Sequence, residues 1–204
     1  MSEKFKGKYR IASNRLRYWN YGWNAAYFVT ICTVNREHFF GEIKNGKMNL
    51  TEIGKIAHNF WKAIPQHFPF VKLGEFIIMP NHVHGIIIID KPNRHNTNVD
   101  TQEGLTNVVE TQNFASLQQQ PQPDDPENQF GPQSQNLASI IRGYKSAVKK
   151  YATMHGIDFA WQARYHDHII RDEKSFYRIS EYIRNNPLNW DSDRYYFRCI
   201  KKEI

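Results

Sequence analysis

The sequence predicts an α+β fold, a mostly antiparallel sheet covered by helices. Three observations carry this. Tyr27–Val34, Val71–Met79 and Val83–Asp90 are short runs rich in β-branched and aromatic residues, the composition of buried strands. Other stretches place apolar residues at helical spacing instead. The resulting order is strand, hairpin, helix, strand, strand, helix, strand, helix, with no internal repeat.

Residues 1–24 are basic and aromatic, with Arg10, Arg15, Arg17, Tyr18, Trp19 and Trp23, and form an arm leading into the first strand, Tyr27–Val34. Phe39–Leu50 contains Asn45-Gly46, the dipeptide that suits a tight hairpin turn. Thr51 opens a helix in which Ile53, Ile56, Ala57, Phe60, Trp61 and Ile64 recur on one side, and Pro65 ends it. Val71–Met79 and Val83–Asp90 are the second and third strands. Leu137–His155 is a helix with Leu137, Ile140, Ile141, Tyr144, Val148 and Tyr151 on one side, Arg142, Lys145, Lys149 and Lys150 on the other, and Gly156 as its stop. Phe159–Ile170 reads as a fourth strand. A last helix starts at Asp172 or Ser175 and runs through Phe176, Ile179, Tyr182 and Ile183 to Pro187, which cannot continue it. The tail from Leu188 is aromatic and basic and packs back on the body.

The chain carries +7 at neutral pH over 204 residues, which favours a polyanionic partner. The charge is uneven. Residues 91–135 hold Lys91 and Arg94 against Asp100, Glu103, Glu110, Asp124, Asp125 and Glu127, a net of −4, so the remainder carries +11. That segment also has nine Gln and few large apolar residues, too little to bury a core of its own. It reads as a flexible insertion within a single domain spanning 25–190, with residues 191–204 as a basic tail. Cys32 and Cys199 lack metal-type spacing and fit a reduced, cytoplasmic protein. No apolar run approaches the roughly 18 residues of a membrane span, and the N-terminus lacks the apolar core of a signal peptide.

Four groups of residues could do chemistry. His82 and His84 flank Val83, so on a strand both imidazoles share one face while the valine anchors on the other. Such a pair suits a divalent metal if a third ligand joins it; it also suits a purely structural role. Tyr182 and Asn186 lie four residues apart, one turn along a helix face. The alternative is a core tyrosine and a helix-capping asparagine. Arg164, His166, His168 and Arg171 form a third group, fit for phosphate contacts or a second metal pair. Lys145, Lys149 and Lys150 form a fourth, fit for a phosphate groove or a solvated face. No Gly-rich phosphate loop, Cys-rich zinc site or serine elbow is present.

Met79-Pro80-Asn81-His82-Val83-His84, then Trp161 through Phe176, then Glu181-Tyr182-Ile183-Arg184-Asn185-Asn186-Pro187, taken in this order, resemble the IS200-type single-tyrosine transposases, and most of all the REP-associated tyrosine transposases. The resemblance covers most of 25–190 apart from 91–135; that long polar insertion departs from the compact family pattern. It implies the HUH endonuclease fold, an RRM-like, ferredoxin-like sheet with packed helices. By motif, His82 and His84 match the metal pair, Tyr182 the nucleophile and Asn186 the third ligand, holding Mg²⁺ or Mn²⁺. Tyr144 and Tyr165 are the competing tyrosines.

The implied activity is nicking and joining of single-stranded DNA near hairpins or palindromic repeats through a 5′-phosphotyrosine. The resemblance further implies a bacterial, nucleoid-associated protein, a homodimer if it resembles the mobile members. Arg15, Arg17 and Trp19 are candidate hairpin contacts. Lys145, Lys149, Arg164, His166, His168 and Arg171 are candidate DNA contacts. Two other readings stay open: a non-catalytic binder of DNA hairpins or RNA, and a hydrolase of small phosphoesters that uses water.

Overall fold

The computed structural model describes residues 4–5, 8–9, 16, 19–92, 134–193 and 195–196. Arg15 and Arg17, most of the 91–135 segment and most of the tail after 193 lie outside the described residues. Two short strands, β1 (Lys4–Phe5) and β2 (Lys8–Tyr9), pair antiparallel. The body follows: β3 (Ala25–Cys32), β4 (Gly41–Lys44), β5 (Lys47–Leu50), α1 (Glu52–Lys62), α2 (Ile64–His67), β6 (Val71–Met79), β7 (His82–Ile89), α3 (Leu137–Met154), β8 (His166–Ile170) and α4 (Glu173–Asn185). A 3-10 segment, Asn186–Ser192, continues from α4.

The central sheet has the order β6-β7-β3-β8, and all three pairings are antiparallel. It draws strands from both sides of residues 91–135. Local chemistry explains each boundary. Asn45 and Gly46 both take positive φ, the turn that joins β4 to β5. Thr51 caps α1, its hydroxyl accepting from the Gly54 N–H. Asn136 and Ser139 form a reciprocal capping box at α3. Gly156, at φ +64°, stops that helix. Asp172 caps α4 by accepting from the Ser175 N–H.

Four details differ from the sequence reading. The first strand is Ala25–Cys32, two residues earlier, because Val34 opens a short 3-10 turn. The third strand begins at His82 rather than Val83, so both histidines stand on it. Pro65 does not simply end α1; it seats in the first turn of α2, where its missing N–H costs nothing. The fourth strand is only His166–Ile170. Phe159–Tyr165 is an irregular segment whose aromatic residues fill the core edge, tied to the chain just past β3 by a bridge between Thr33 and Trp161.

The main core lies between one face of the sheet and α1 with α3. Tyr27, Val29, Ile31, Val83, Ile87 and Ile89 face Ala57, Trp61, Ile140, Ile141, Tyr144 and Val148. Trp61 packs directly on Gly85: a Cβ there would lie 2.3 Å from the indole Cζ2, so only glycine admits this approach. The opposite face carries a smaller cluster in which Ala26, Ile86, Ile88 and Ile170 meet Ile183 of α4, with Phe176 and Ile179 beside it. No helix among the described residues is long and apolar enough to cross a membrane.

Candidate active site

Strand alternation places Val83, Gly85, Ile87 and Ile89 in the main core and sends His82 and His84 to the other face. The two imidazoles are fully buried, with ring centroids 4.3 Å apart. Each is held from behind. Asn81 Oδ1 accepts from His82 Nδ1 at 2.8 Å. The orientation of that amide is set because Asn81 Nδ2 donates to two carbonyls, Arg36 at 3.1 Å and Tyr195 at 2.9 Å. His82 therefore carries its proton on Nδ1 and presents the Nε2 lone pair. His84 Nδ1 pairs with Thr30 Oγ1 at 2.9 Å, across the strand pairing of β3 and β7, which turns Nε2 the other way.

That second nitrogen meets α4. Tyr182 Oη lies 3.3 Å from His84 Nε2. The helix is anchored by buried Ser180 and Ile183, so Tyr182 leans over the histidines yet remains 42% exposed. It is thus neither sealed in the core nor aimed away from the pair. One turn later, Asn186 is only 1% exposed. Its Nδ2 donates to Asp193 Oδ2 at 2.9 Å, while its buried Oδ1 accepts no hydrogen bond.

Asp193 was missed by sequence reasoning. It follows the 3-10 segment, its Oδ1 accepts from the Tyr195 N–H at 2.6 Å, and its Oδ2 stands 3.5 Å from Tyr182 Oη. His82, His84 and Asp193 bring their ligand atoms within 4.8 Å of one another, the one such triple among the described residues. Two imidazoles and a carboxylate are a donor set that fits a hard or borderline divalent cation, and Asn186, whose amide oxygen is orphaned, adjoins it through Asp193. Asn81 was also missed as an orienting residue. Its position directly before the histidines is the only sequence signal for it; Asp193 has none, since irregular backbone carries no periodicity.

The competing tyrosines are placed elsewhere. Tyr144 is buried on the opposite face, its hydroxyl donating to Ala57 O at 3.1 Å, and burial pushes its phenol far above the ordinary value. Tyr165 packs beside the main core. Lys145 Nζ donates to the carbonyls of Gln162 and Arg164 at 2.7 and 3.1 Å, and Lys149 Nζ to Phe159 O at 2.6 Å. Both ammonium groups therefore tie down the 159–164 segment, and partial burial lowers the Lys145 pKa. Trp19 is half-buried, its indole N–H on Tyr27 Oη at 3.2 Å. Arg164, His166, His168 and Arg171 are exposed, the two histidines on the same sheet face as His82 and His84.

The described residues thus form a four-stranded antiparallel sheet with helices on both faces, a buried histidine pair on its second strand and a helical tyrosine above that pair. The solved structure of a REP-associated tyrosine transposase bound to a REP hairpin superposes with a TM-score of 0.51, covering 88% of this chain and 74% of that one at 17% identity. No family model matches the chain. It belongs to one family with a Haemophilus influenzae protein described only as uncharacterized, 38% identical over 198 residues, 96% of this chain and 99% of that protein.

Proposed function

We propose that this protein is a metal-dependent single-stranded DNA endonuclease and strand transferase, a transposase-type enzyme that acts beside DNA hairpins. One observation carries the reading: the half-exposed Tyr182 hydroxyl stands 3.3 Å from His84 Nε2 and 3.5 Å from Asp193 Oδ2, at the rim of a buried donor cluster. A shared fold alone does not carry an activity, so the weight rests on this site.

Each residue has a task. His82, His84 and Asp193, with Asn186 Oδ1, would hold the divalent cation, Mg²⁺ or Mn²⁺. When bound, the cation supplies Lewis-acid polarisation of the scissile phosphate. Tyr182 Oη attacks phosphorus and loses its proton. The new O–P bond to Tyr182 replaces the P–O3′ bond, leaving a 5′-phosphotyrosine and a 3′-hydroxyl that takes up a proton. Asn81 and Thr30 keep both imidazoles in the metal-binding tautomer and orientation. The reverse attack by a 3′-hydroxyl releases Tyr182 and joins DNA without external energy. Hairpin DNA as partner is supported by the REP hairpin bound in the solved transposase structure and by the basic balance of this chain.

The test is a labelled single-stranded hairpin oligonucleotide with Mn²⁺, run on a denaturing gel. A covalent protein–DNA adduct is expected from the native protein, and mass mapping should find it on the Tyr182 peptide. Tyr182→Phe should retain DNA binding and lose the adduct by about 10³-fold or more. An adduct that persists in the phenylalanine variant would falsify the assignment. Binding without any adduct in the native protein would favour a non-catalytic hairpin binder instead.

A further inference from the structure

Two covers close on the histidine face of the sheet and meet over His84, where Tyr182 and Tyr195 both pack, which leaves the two histidines of β8 uncovered. At one end Ile183, Phe176 and Ile179 close over Ala26, Ile86, Ile88 and Ile170. At the other, Trp190 and Tyr195 close over Met79. Across this face the strand register sets His84, Thr30 and His166 in one row, and Ile86, Phe28 and His168 in the next. Directly paired residues project to the same face, so each row is a continuous strip across β7, β3 and β8. The β7 end of each strip is buried, and the β8 end, His166 and His168, is exposed.

Phe28 sits where burial gives way to solvent. On β3 every residue is buried except Phe28 and Cys32. The Phe28 ring lies 5.2 Å from the His84 ring and 6.2 Å from that of Tyr182, which it meets edge-on at 83°. A large aromatic side chain left half open in an inner strand, beside the proposed nucleophile, is what a base-stacking floor requires. Bases of a single strand offer bare π-faces, and stacking on an aromatic ring tolerates any sequence. The surroundings match that occupant better than an apolar partner: exposed Arg164 and Arg171 lie at either end of β8, with His166 and His168 between them.

We propose that Phe28 is the stacking platform for a nucleobase next to the scissile phosphate, and that His166 and His168 contact the backbone of the same strand as it leaves over β8. This rests on the reading of Tyr182 as a nucleophile that acts on single-stranded DNA. It adds a base-binding subsite to that site.

The probe is single-stranded oligothymidine, compared with an abasic oligomer of the same length, each titrated against the full chain by fluorescence anisotropy. Phe28→Leu should weaken oligothymidine binding about tenfold and leave the abasic affinity unchanged. Phe28→Tyr, which keeps the ring, should bind both as the native protein does. His166→Ala combined with His168→Ala should weaken both oligomers alike. An equal loss on both oligomers in Phe28→Leu, no loss at all, or a loss in Phe28→Tyr as large as in the leucine variant overturns the platform. If the native protein forms the Tyr182 adduct and Phe28→Leu behaves as native, the subsite fails while the nuclease reading stands. A native protein that holds neither oligomer brings down both.

Discussion

The two faces of the central sheet are built from the same four strands and follow opposite rules. On the α1–α3 face the contacts are apolar and close, down to the Trp61 ring lying on Gly85. On the α4 face the buried residues include two imidazoles and an asparagine beside a half-buried carboxylate, and the cover leaves His166 and His168 of β8 exposed. Apolar burial stabilises the fold at roughly 25 cal/mol per Å², whereas burying polar groups costs free energy unless each is paired. The difference teaches that the second face buries polar groups at some cost in stability, which the apolar packing of the first face offsets.

Exchanging damage between the faces should break this comparison most sharply. His84→Ala should abolish Mn²⁺ binding in calorimetry and adduct formation on gels, with little change in melting temperature. Ile87→Ala, the neighbour on β7 three residues along and on the other face, should destabilise by about 2–5 kcal/mol, while the folded fraction keeps its metal affinity. If His84→Ala unfolds the protein and Ile87→Ala removes metal binding, the division of labour is wrong.

Asn81 tests the join between the faces and the tail. It holds His82 Nδ1 and the Tyr195 carbonyl together, and Tyr195 in turn donates to Asp193. Removing an orienting partner of this kind typically weakens metal affinity by 10–100-fold. Asn81→Ala should show such a loss by Mn²⁺ titration, with a broadened electron paramagnetic resonance signal from the residual bound ion. Native affinity in that variant would mean the histidines need no such support.

Gly85→Ala sharpens the packing side. The added methyl must displace the Trp61 ring, and overpacking of this kind costs about 1–3 kcal/mol, measurable by urea denaturation. Metal binding should survive, because the glycine faces away from the histidines.

The smallest expected effect is an acid limb. The Asp172 carboxyl is held below its ordinary value by the Ser175 backbone N–H and hydroxyl. Its folded pKa is depressed, so its cap contribution is present above the unfolded carboxylate range and lost as pH falls through the folded pKa. Asp172→Asn should flatten that limb in thermal melts at graded pH; an unchanged limb would assign the acid sensitivity to other carboxylates.

How much was legible beforehand follows from how each residue is encoded. His82 and His84 were readable because a two-residue strand period is written directly in the sequence, as was the one-turn spacing of Tyr182 and Asn186. Thr51, Asp172 and the Asn45-Gly46 turn were readable because capping and turn chemistry act within a few residues. The over-long fourth strand was a misreading of Phe159, Trp161 and Tyr165. Phe159 and Trp161 pack against Phe39, Phe40 and Tyr144, and Tyr165 against the core, so the β-like composition reflects burial rather than a continuous strand.

Local periodicity by itself determined the element order, the α+β class and the faces on which the histidines and the tyrosine stand. Only the tertiary structure decided that α4 lies over β7 closely enough to bring Tyr182 to His84, that Asp193 and Asn81 complete the cluster, that Lys145 and Lys149 bind carbonyls, and that Phe28 stays open. The reason is range. Backbone geometry repeats over two to four residues and leaves its mark in the chain, whereas a meeting between residues 98 positions apart depends on how whole surfaces pack, and no local pattern encodes that.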